Sequence, residues 1–375
     1  MFSQIPIWFI LFFMIYGGAA LSGVISCVYL LLRRGNAFMT NVTPAERLRR
    51  WVVAFLTTAV LCHVWWFPFG IDSGLLDSPL CLVVVALDSM TILPTIACSL
   101  ISMLQDVRRP AWPYFVAMLP FAVMVLLRGL WTDRWFFIVA NTYMLLLYVL
   151  FAVYIVKSLR QYGRWLRDNY ADLEHKEVWR SQVVVLVSLL VIILYEFDYA
   201  SIALAFMLQC TQILLYALLV WRVETLPMLD TFAVEPDAVI AGEAEASAVA
   251  DRHVASAHSI PSNIGQLLDD HCVATHLYLQ HDLTLAQLSK AVGTNRSYLS
   301  HYFSSQGMTY NAYINGLRVN HFVSRYRELA VANQPFTAQQ LAHECGYRSY
   351  STFSLAFKQR MGQTVTAWVH RQPND

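Results

Sequence analysis

Charged side chains are scarce in this chain. They make up 14% of its 375 residues, and mean hydropathy is +0.46; a soluble globular chain carries about a quarter charged residues. That shortage excludes a protein soluble along its whole length. Glycine (15) and proline (13) are too few for a collagen-like or low-complexity chain. The cysteines are Cys27, Cys62, Cys81, Cys98, Cys210, Cys272 and Cys345, an odd set with no CxxC pair. They argue against a disulfide framework and a zinc site, and read as small buried hydrophobes. HExxH, paired catalytic carboxylates and a glycine-rich phosphate loop are all missing, so enzymatic chemistry has no foothold and no cofactor or metal is expected. Lysine is missing from every apolar run, which removes a Schiff-base site and disfavours a retinal photoreceptor.

What is present divides by region. Residues 1–225 hold 16 Lys+Arg and 13 Asp+Glu, placed mostly between apolar runs. Residues 226–258 hold six acids against Arg252 alone. Residues 281–372 hold nine basic residues against Asp282, Glu328 and Glu344. The expected organisation is all-α: a polytopic seven-helix membrane domain at 1–225, a flexible acidic linker at 226–261, and a soluble domain with tandem helix-turn-helix units at 262–372.

A spanning helix needs roughly 20 mostly apolar residues. Seven candidates occur, at 7–32, 51–70, 80–104, 111–127, 135–156, 181–197 and 199–221. The fourth and sixth are short, so six or eight crossings are the competing counts. The first is too long for a signal peptide and lacks a basic start, so it reads as retained. The odd-numbered loops carry thirteen cations, among them Arg33, Arg34, Arg47, Arg49, Arg50, Arg108, Arg109, Arg160 and Arg180. The even-numbered loops carry Arg128 and Arg134 with several acids. The positive-inside rule places the odd loops in the cytoplasm, the N-terminus outside, and the chain after Trp221 in the cytoplasm.

Polar groups in or beside apolar runs need a reason. Asp88 lies six residues before Pro94, His63 lies near Trp65, Trp66 and Pro68, Asn141 lies near the start of the fifth run, and Glu196 and Asp198 end the sixth. One reading is a sensing pocket lined by His63, Asp88, Glu196 and Asp198. The other is interhelical hydrogen bonds, a proline kink and an interfacial aromatic belt. Both stay open on sequence alone.

The basic region repeats a pattern, LAQLSKAVGTNRSYLSHYFSSQG at 285–307 and AQQLAHECGYRSYSTFSLAFKQRMG at 338–362. In each, a leucine (Leu288, Leu341) precedes a small residue, and a glycine (Gly293, Gly346) follows five positions after that leucine. The glycines suit helix ends in the left-handed region. The pairs Leu299/Phe303 and Phe353/Phe357 pin a second helix inward. The outward face of each second helix is small, polar or basic, which fits the major groove of DNA. Between the units, residues 310–329 carry an apolar stripe of Tyr310, Tyr313, Ile314 and Leu317, with Arg318, Arg325 and Arg327 supplying charge. His271, His276 and His281 stand five apart; about 140° of rotation per step on a helix keeps them off one face, against a metal site.

LTLAQLSKAVGTNRSYLS (283–300), YINGLR (313–318) and GYRSYSTFSLAFKQRMGQT (346–364) resemble the AraC/XylS family of bacterial transcription regulators, in wording close to the membrane-embedded variant of Bacteroidetes. The resemblance covers about 262–372. Departures are Thr364-Val365 where Thr-Pro is usual, Ser289 for Ala, and Phe322 for a small residue. It implies two recognition helices in successive major-groove segments. Arg296, Ser297, Ser300 and His301 would face DNA from the first, Tyr350, Ser351, Ser354 and Leu355 from the second, with Arg348 and Lys358 on phosphate. The function so implied is a regulator of the bacterial inner membrane, multi-pass, with a cytoplasmic DNA-binding domain. Candidate partners are double-stranded promoter DNA, the lipid bilayer, a homodimer mate, and a small-molecule or membrane signal. The competing class is a membrane receptor or transport protein whose basic domain is a protein-interaction module.

Overall fold

A computed structural model describes residues 6–33, 45–127, 134–174, 176–197, 201–229 and 263–371. The named elements among them are all helical, and Tyr170 and Thr284 form an isolated antiparallel bridge. Asp198, the side chain of Glu196 and most of the acidic linker lie outside the described residues. Contacts divide the chain into two units, Met1–Tyr162 with Glu177–Ala233, and Gly163–Lys176 with Val234–Asp375.

The first unit holds α1 (Ile7–Leu32), α2 (Glu46–Ile71), α3 (Pro79–Ser102), α4 (Trp112–Leu127), α5 (Arg134–Asn169, its last turns belonging to the second unit), α6 (Trp179–Phe197) and α7 (Ile202–Thr225). Five of the seven, α1, α2, α3, α5 and α7, are long and apolar enough to cross a membrane; α4 and α6 are shorter apolar helices. Their outer faces are apolar: Ile7, Met14, Leu32, Val64, Trp135, Val153 and Leu214 are all exposed.

Charge gathers at one end of this unit. Arg49 pairs with the buried Glu224 at 3.5 Å, and Arg109 grips Asp106 through two bonds of 2.7 and 3.1 Å. Arg47 donates to the Arg109 carbonyl, and Arg222 to the Glu177 carbonyl. Gln105 donates to the Pro227 carbonyl and accepts from the Leu229 amide, both at 2.9 Å. The start of α2, the end of α3, Glu177 shortly before α6 and the end of α7 therefore share one end. Leu226–Leu229, expected to open the flexible linker, are instead tied there by Gln105.

The second unit is two small cores joined by one helix. A short helix, α8 (Ile264–Leu268), continues as a π-turn over Asp269–Val273. His276 takes a left-handed conformation, and a 3-10 turn follows at Leu277–Leu279. The three spaced histidines thus lie on broken backbone rather than on the regular helix assumed from their spacing. Then come α9 (Leu285–Val292), α10 (Arg296–Ser305), α11 (Tyr310–Val331), α12 (Ala338–Glu344), α13 (Tyr350–Met361) and α14 (Val365–Val369).

Local chemistry accounts for these boundaries. Thr284 and Thr337 begin α9 and α12 with reciprocal capping boxes completed by Gln287 and Gln340. Asn295, Thr309, Ser349 and Thr364 cap the starts of α10, α11, α13 and α14. Thr364 caps α14 with Val365 buried behind it, so the missing proline leaves this helix intact. Leu288, Val292, Leu299, Phe303 and Ile314 share the first core; Leu341, Phe353, Phe357, Val365 and Trp368 share the second with Val319 and Phe322. The Phe322 ring sits 4.4 Å from that of Phe353, filling space a small residue would leave.

Arg318 corrects the sequence reading. It was expected among the cations of the joining helix, yet it is 0% exposed. Its Nε donates to the Tyr278 carbonyl and its Nη2 to the Gln280 carbonyl, both at 2.7 Å, and its guanidinium lies 5.4 Å from the Tyr347 ring centroid. Burial lowers its pKa, with Tyr347 opposing that shift.

Gly346 (φ +88°) and Gly293 (φ +71°) occupy equivalent turns, but a Cβ on Gly346 would lie 2.6 Å from the Leu279 carbonyl oxygen while one on Gly293 meets nothing. Gly293→Ala is expected to cost about 1 kcal/mol, the left-handed penalty alone. Gly346→Ala should cost clearly more, about 3 kcal/mol with the clash included. Chemical unfolding of the full chain in detergent, read at the second unit, checks the order; equal losses would contradict it.

Candidate nucleic-acid interface

α10 and α13 each present one face to a core and the other to solvent. In α10, Leu299 and Phe303 point inward, while Ser297 and His301 are exposed and Ser300 is half-buried. In α13, Phe353 and Phe357 point inward. Ser351, Leu355 and Lys358 are exposed, Tyr350 sits at the edge of exposure, and Ser354 is half-buried. Leu355 is 60% exposed, an apolar side chain left on a polar helix face. The expected DNA-facing residues of each helix thus lie on its outward side or at its start.

The helix starts are different, because they are occupied. Arg296, the first residue of α10, donates through Nε to Asn169 Oδ1 at 3.1 Å and again through Nη2. Arg348, just before α13, pairs with Asp282, which also receives Lys176 at 3.4 Å. Ser349 and Thr352, at the start of α13, both donate to Glu174 Oε2, at 2.5 and 3.0 Å. Ser349, Thr352, Asn169 and Glu174 were not singled out in the sequence. A usable signal existed: Asp168–Glu174 holds three acids and no Lys or Arg inside an otherwise cationic loop.

The rest of the basic surface is thinner than the sequence count suggests. Arg318 is buried, and Arg325 pairs with Glu328 at 2.6 Å. Burial pushes the Cys272 thiol up to about 11 and the Cys345 thiol up to about 12, so neither is a thiolate at neutral pH. Among the described residues no group of three or more His, Cys, Asp or Glu could hold a metal ion.

In the helical unit, two of the groups expected to sense, Asp88 and His63, have partners on neighbouring helices. Asp88 accepts from the Trp65 indole at 2.8 Å, from the Trp66 indole, and from Cys62 at 3.5 Å. His63 is buried, with Nδ1 2.7 Å from the Ala59 carbonyl and Nε2 3.2 Å from Gln209 Oε1, and Tyr16 donates to its carbonyl at 2.6 Å. A separate apolar cavity of 310 Å³ lies between α3, α4, α5 and α6, with Pro94, Tyr114 and Tyr148 in its wall; neither His63 nor Asp88 lines it.

Residues 288–371 match the family model of a helix-turn-helix domain. The match supports a DNA-binding domain of AraC type, and with it a regulatory rather than enzymatic role for this part of the chain. No curated protein and no solved structure matches the chain.

Leu355→Ala should leave the stability of the second unit within about 0.5 kcal/mol of the parent, as for an exposed position. Phe353→Ala, two residues away on the core face, should cost about 3–5 kcal/mol. Unfolding curves of the two variants test the division of α13 into an inner and an outer face.

Proposed function

We propose that this protein is a membrane-anchored transcription regulator of AraC type, whose second unit binds promoter DNA from the cytoplasmic side of a bacterial inner membrane. The observation that carries the proposal is the tandem arrangement itself. Two capped helix-turn-helix units are joined by α11, within a region matched by the helix-turn-helix family model. A 22-residue α11 is about 33 Å long, comparable with the about 34 Å between successive turns of the major groove on one DNA face. Arg296, Ser297, Ser300 and His301 from α10, with Tyr350, Ser351, Ser354 and Leu355 from α13, form the reading surface. Arg348 and Lys358 serve phosphate. Serines and a leucine are modest base readers, so phosphate contacts and DNA shape carry much of the recognition by α13.

Anchoring follows from the apolar exteriors of α1–α7, which water would not tolerate. The reading favours seven crossings, with α4 and α6 as short spans. The clustering of Arg47, Arg49, Arg109 and Arg222 at one end supports that end facing the cytoplasm. α7 finishes at the same end, which sends the chain toward the second unit on the cytoplasmic side. In this scheme His63 and Asp88, with Glu196 and Asp198 near the outer end of α6, make helix packing responsive to a small-molecule or membrane signal. A homodimer on adjacent sites would gain occupancy through effective concentration.

Duplex DNA binding by the full chain in detergent should weaken steeply as salt rises. Lys358→Ala should weaken binding on all sequences alike and lower the salt slope by about 1. Binding indifferent to salt would reject the DNA reading in favour of a protein-interaction module. For topology, a cytoplasm-active reporter fused after Asp375 should be active and a periplasm-active one silent; the reverse pattern would reject a cytoplasmic second unit, and with it seven crossings from an outside N-terminus.

A further inference from the structure

The segment Asn169–Lys176 separates α5 from α6 in sequence, yet it belongs to the unit that holds both helix-turn-helix pairs. It does not behave as a solvated loop. Asn169, Tyr170, Ala171 and Asp172 are buried, and Ala171, 1% exposed, joins the first core. The Ala171 amide donates to the Leu283 carbonyl at 3.3 Å beside the Tyr170–Thr284 bridge. From α11, Asn311 donates to the carbonyls of Tyr170 (3.2 Å) and Ala171 (2.7 Å), and Asn315 to that of Ala171 (3.2 Å). The segment therefore has a fixed course, from the start of α10, across the first turns of α11, to the start of α13.

Its two ends meet groups suited to DNA phosphate. Asn169 takes both donors of Arg296 that bond it. Glu174 accepts from Ser349 and Thr352, the N-cap hydroxyl and a first-turn hydroxyl of α13. A helix N-terminus with free hydroxyls is a site for an anion, and here a carboxylate fills it. Lys176, fixed by the Asp172 carbonyl at 2.9 Å, shares Asp282 with Arg348.

We infer that Asn169–Lys176 is an autoinhibitory clasp, in which Asn169 engages Arg296, a side chain of the DNA-reading face, and Glu174 occupies at the start of α13 a position that a DNA phosphate takes when the domain binds. The inference rests on the DNA-binding reading above. Carboxylate and phosphate compete for the same hydroxyls, so the clasp must leave before DNA seats fully on both helices. Because the segment is continuous in sequence with α5 and α6, a change in those helices is passed to the clasp through the chain itself.

The test uses the full chain in detergent and a random-sequence DNA duplex at low salt. Glu174→Ala and Asn169→Ala should each tighten apparent binding, by about tenfold for the loss of hydrogen bonds to a charged group, since apparent affinity scales with the unclasped fraction. Parent and variants binding with equal affinity would overturn the clasp while leaving DNA binding in place. No salt-sensitive binding by parent or variants would overturn the DNA reading itself, and the clasp with it. Hydrogen exchange of the unaltered chain supplies a readout free of mutation. Saturating duplex should speed exchange at residues 170–174 and slow it in α13; unchanged or slowed exchange at 170–174 would overturn the clasp.

Discussion

The buried guanidinium of Arg318 is the constraint on which the second unit depends. A charge removed from water is costly unless hydrogen bonds and a partner surface replace the lost solvent. Here two carbonyls of the 278–280 turn and the face of Tyr347 supply them for Nε and Nη2, while Nη1 is buried without a hydrogen-bond partner among the described residues. The carbonyls belong to the chain leading into the first helix-turn-helix, and Tyr347 belongs to the turn of the second. Arg318 therefore joins both turns to the middle of α11. The close approach of Gly346 to the Leu279 carbonyl has the same origin, because the second turn is drawn against the segment that Arg318 holds. The chain entering the first core and the turn beside the second are thus tied to the one helix that both cores share.

The tandem motif was legible in the sequence because its signals are local. Capping residues, a glycine five positions after a leucine, and i,i+4 apolar pairs each depend on neighbours within a turn or two. Arg318 was misread for the complementary reason. Its sequence context, with Arg325 and Arg327 on the same helix, matches an exposed cationic face, and only the return of Tyr278 and Gln280 across the fold shows why it is inside. The course of Asn169–Lys176 was invisible on the same grounds, since its partners lie more than a hundred residues away. Asp168, Asp172 and Glu174 share their loop with six cations, which outweigh them in its net charge.

The helical unit shows the same limit of local signals. Hydropathy located all seven apolar helices, although α4 and α6 fall short of the length that marks the other five. Hydropathy could not say how Asp88 and His63 are satisfied. Asp88 on α3 is met by two indoles and a thiol from α2, while His63 on α2 reaches Gln209 on α7. In an apolar setting such bonds are hard to replace by solvent, so they fix the register of α2 against two neighbours. A group that fixes register is also one whose disturbance moves a helix. The structural and sensing readings of these residues are therefore not opposites: coupling requires an element with two arrangements, and a polar lock within an apolar bundle is a means of holding one of them.

A few hydrogen bonds in the clasp face a polyanion that binds through many contacts, and this sets what the clasp can do. Each DNA phosphate neutralised releases counterions, so DNA affinity accumulates over the whole interface and falls with salt. The clasp is intramolecular and includes neutral hydrogen bonds as well as ionic ones, so salt weakens it less. High DNA affinity would overwhelm such a clasp, and weak affinity would make it unnecessary. It is effective where the two are nearly balanced, which suits a second recognition helix, α13, whose outward face offers serines and a leucine rather than a row of arginines. A modest shift in clasp stability then becomes a proportionate shift in promoter occupancy, with no need for the reading surface itself to change shape.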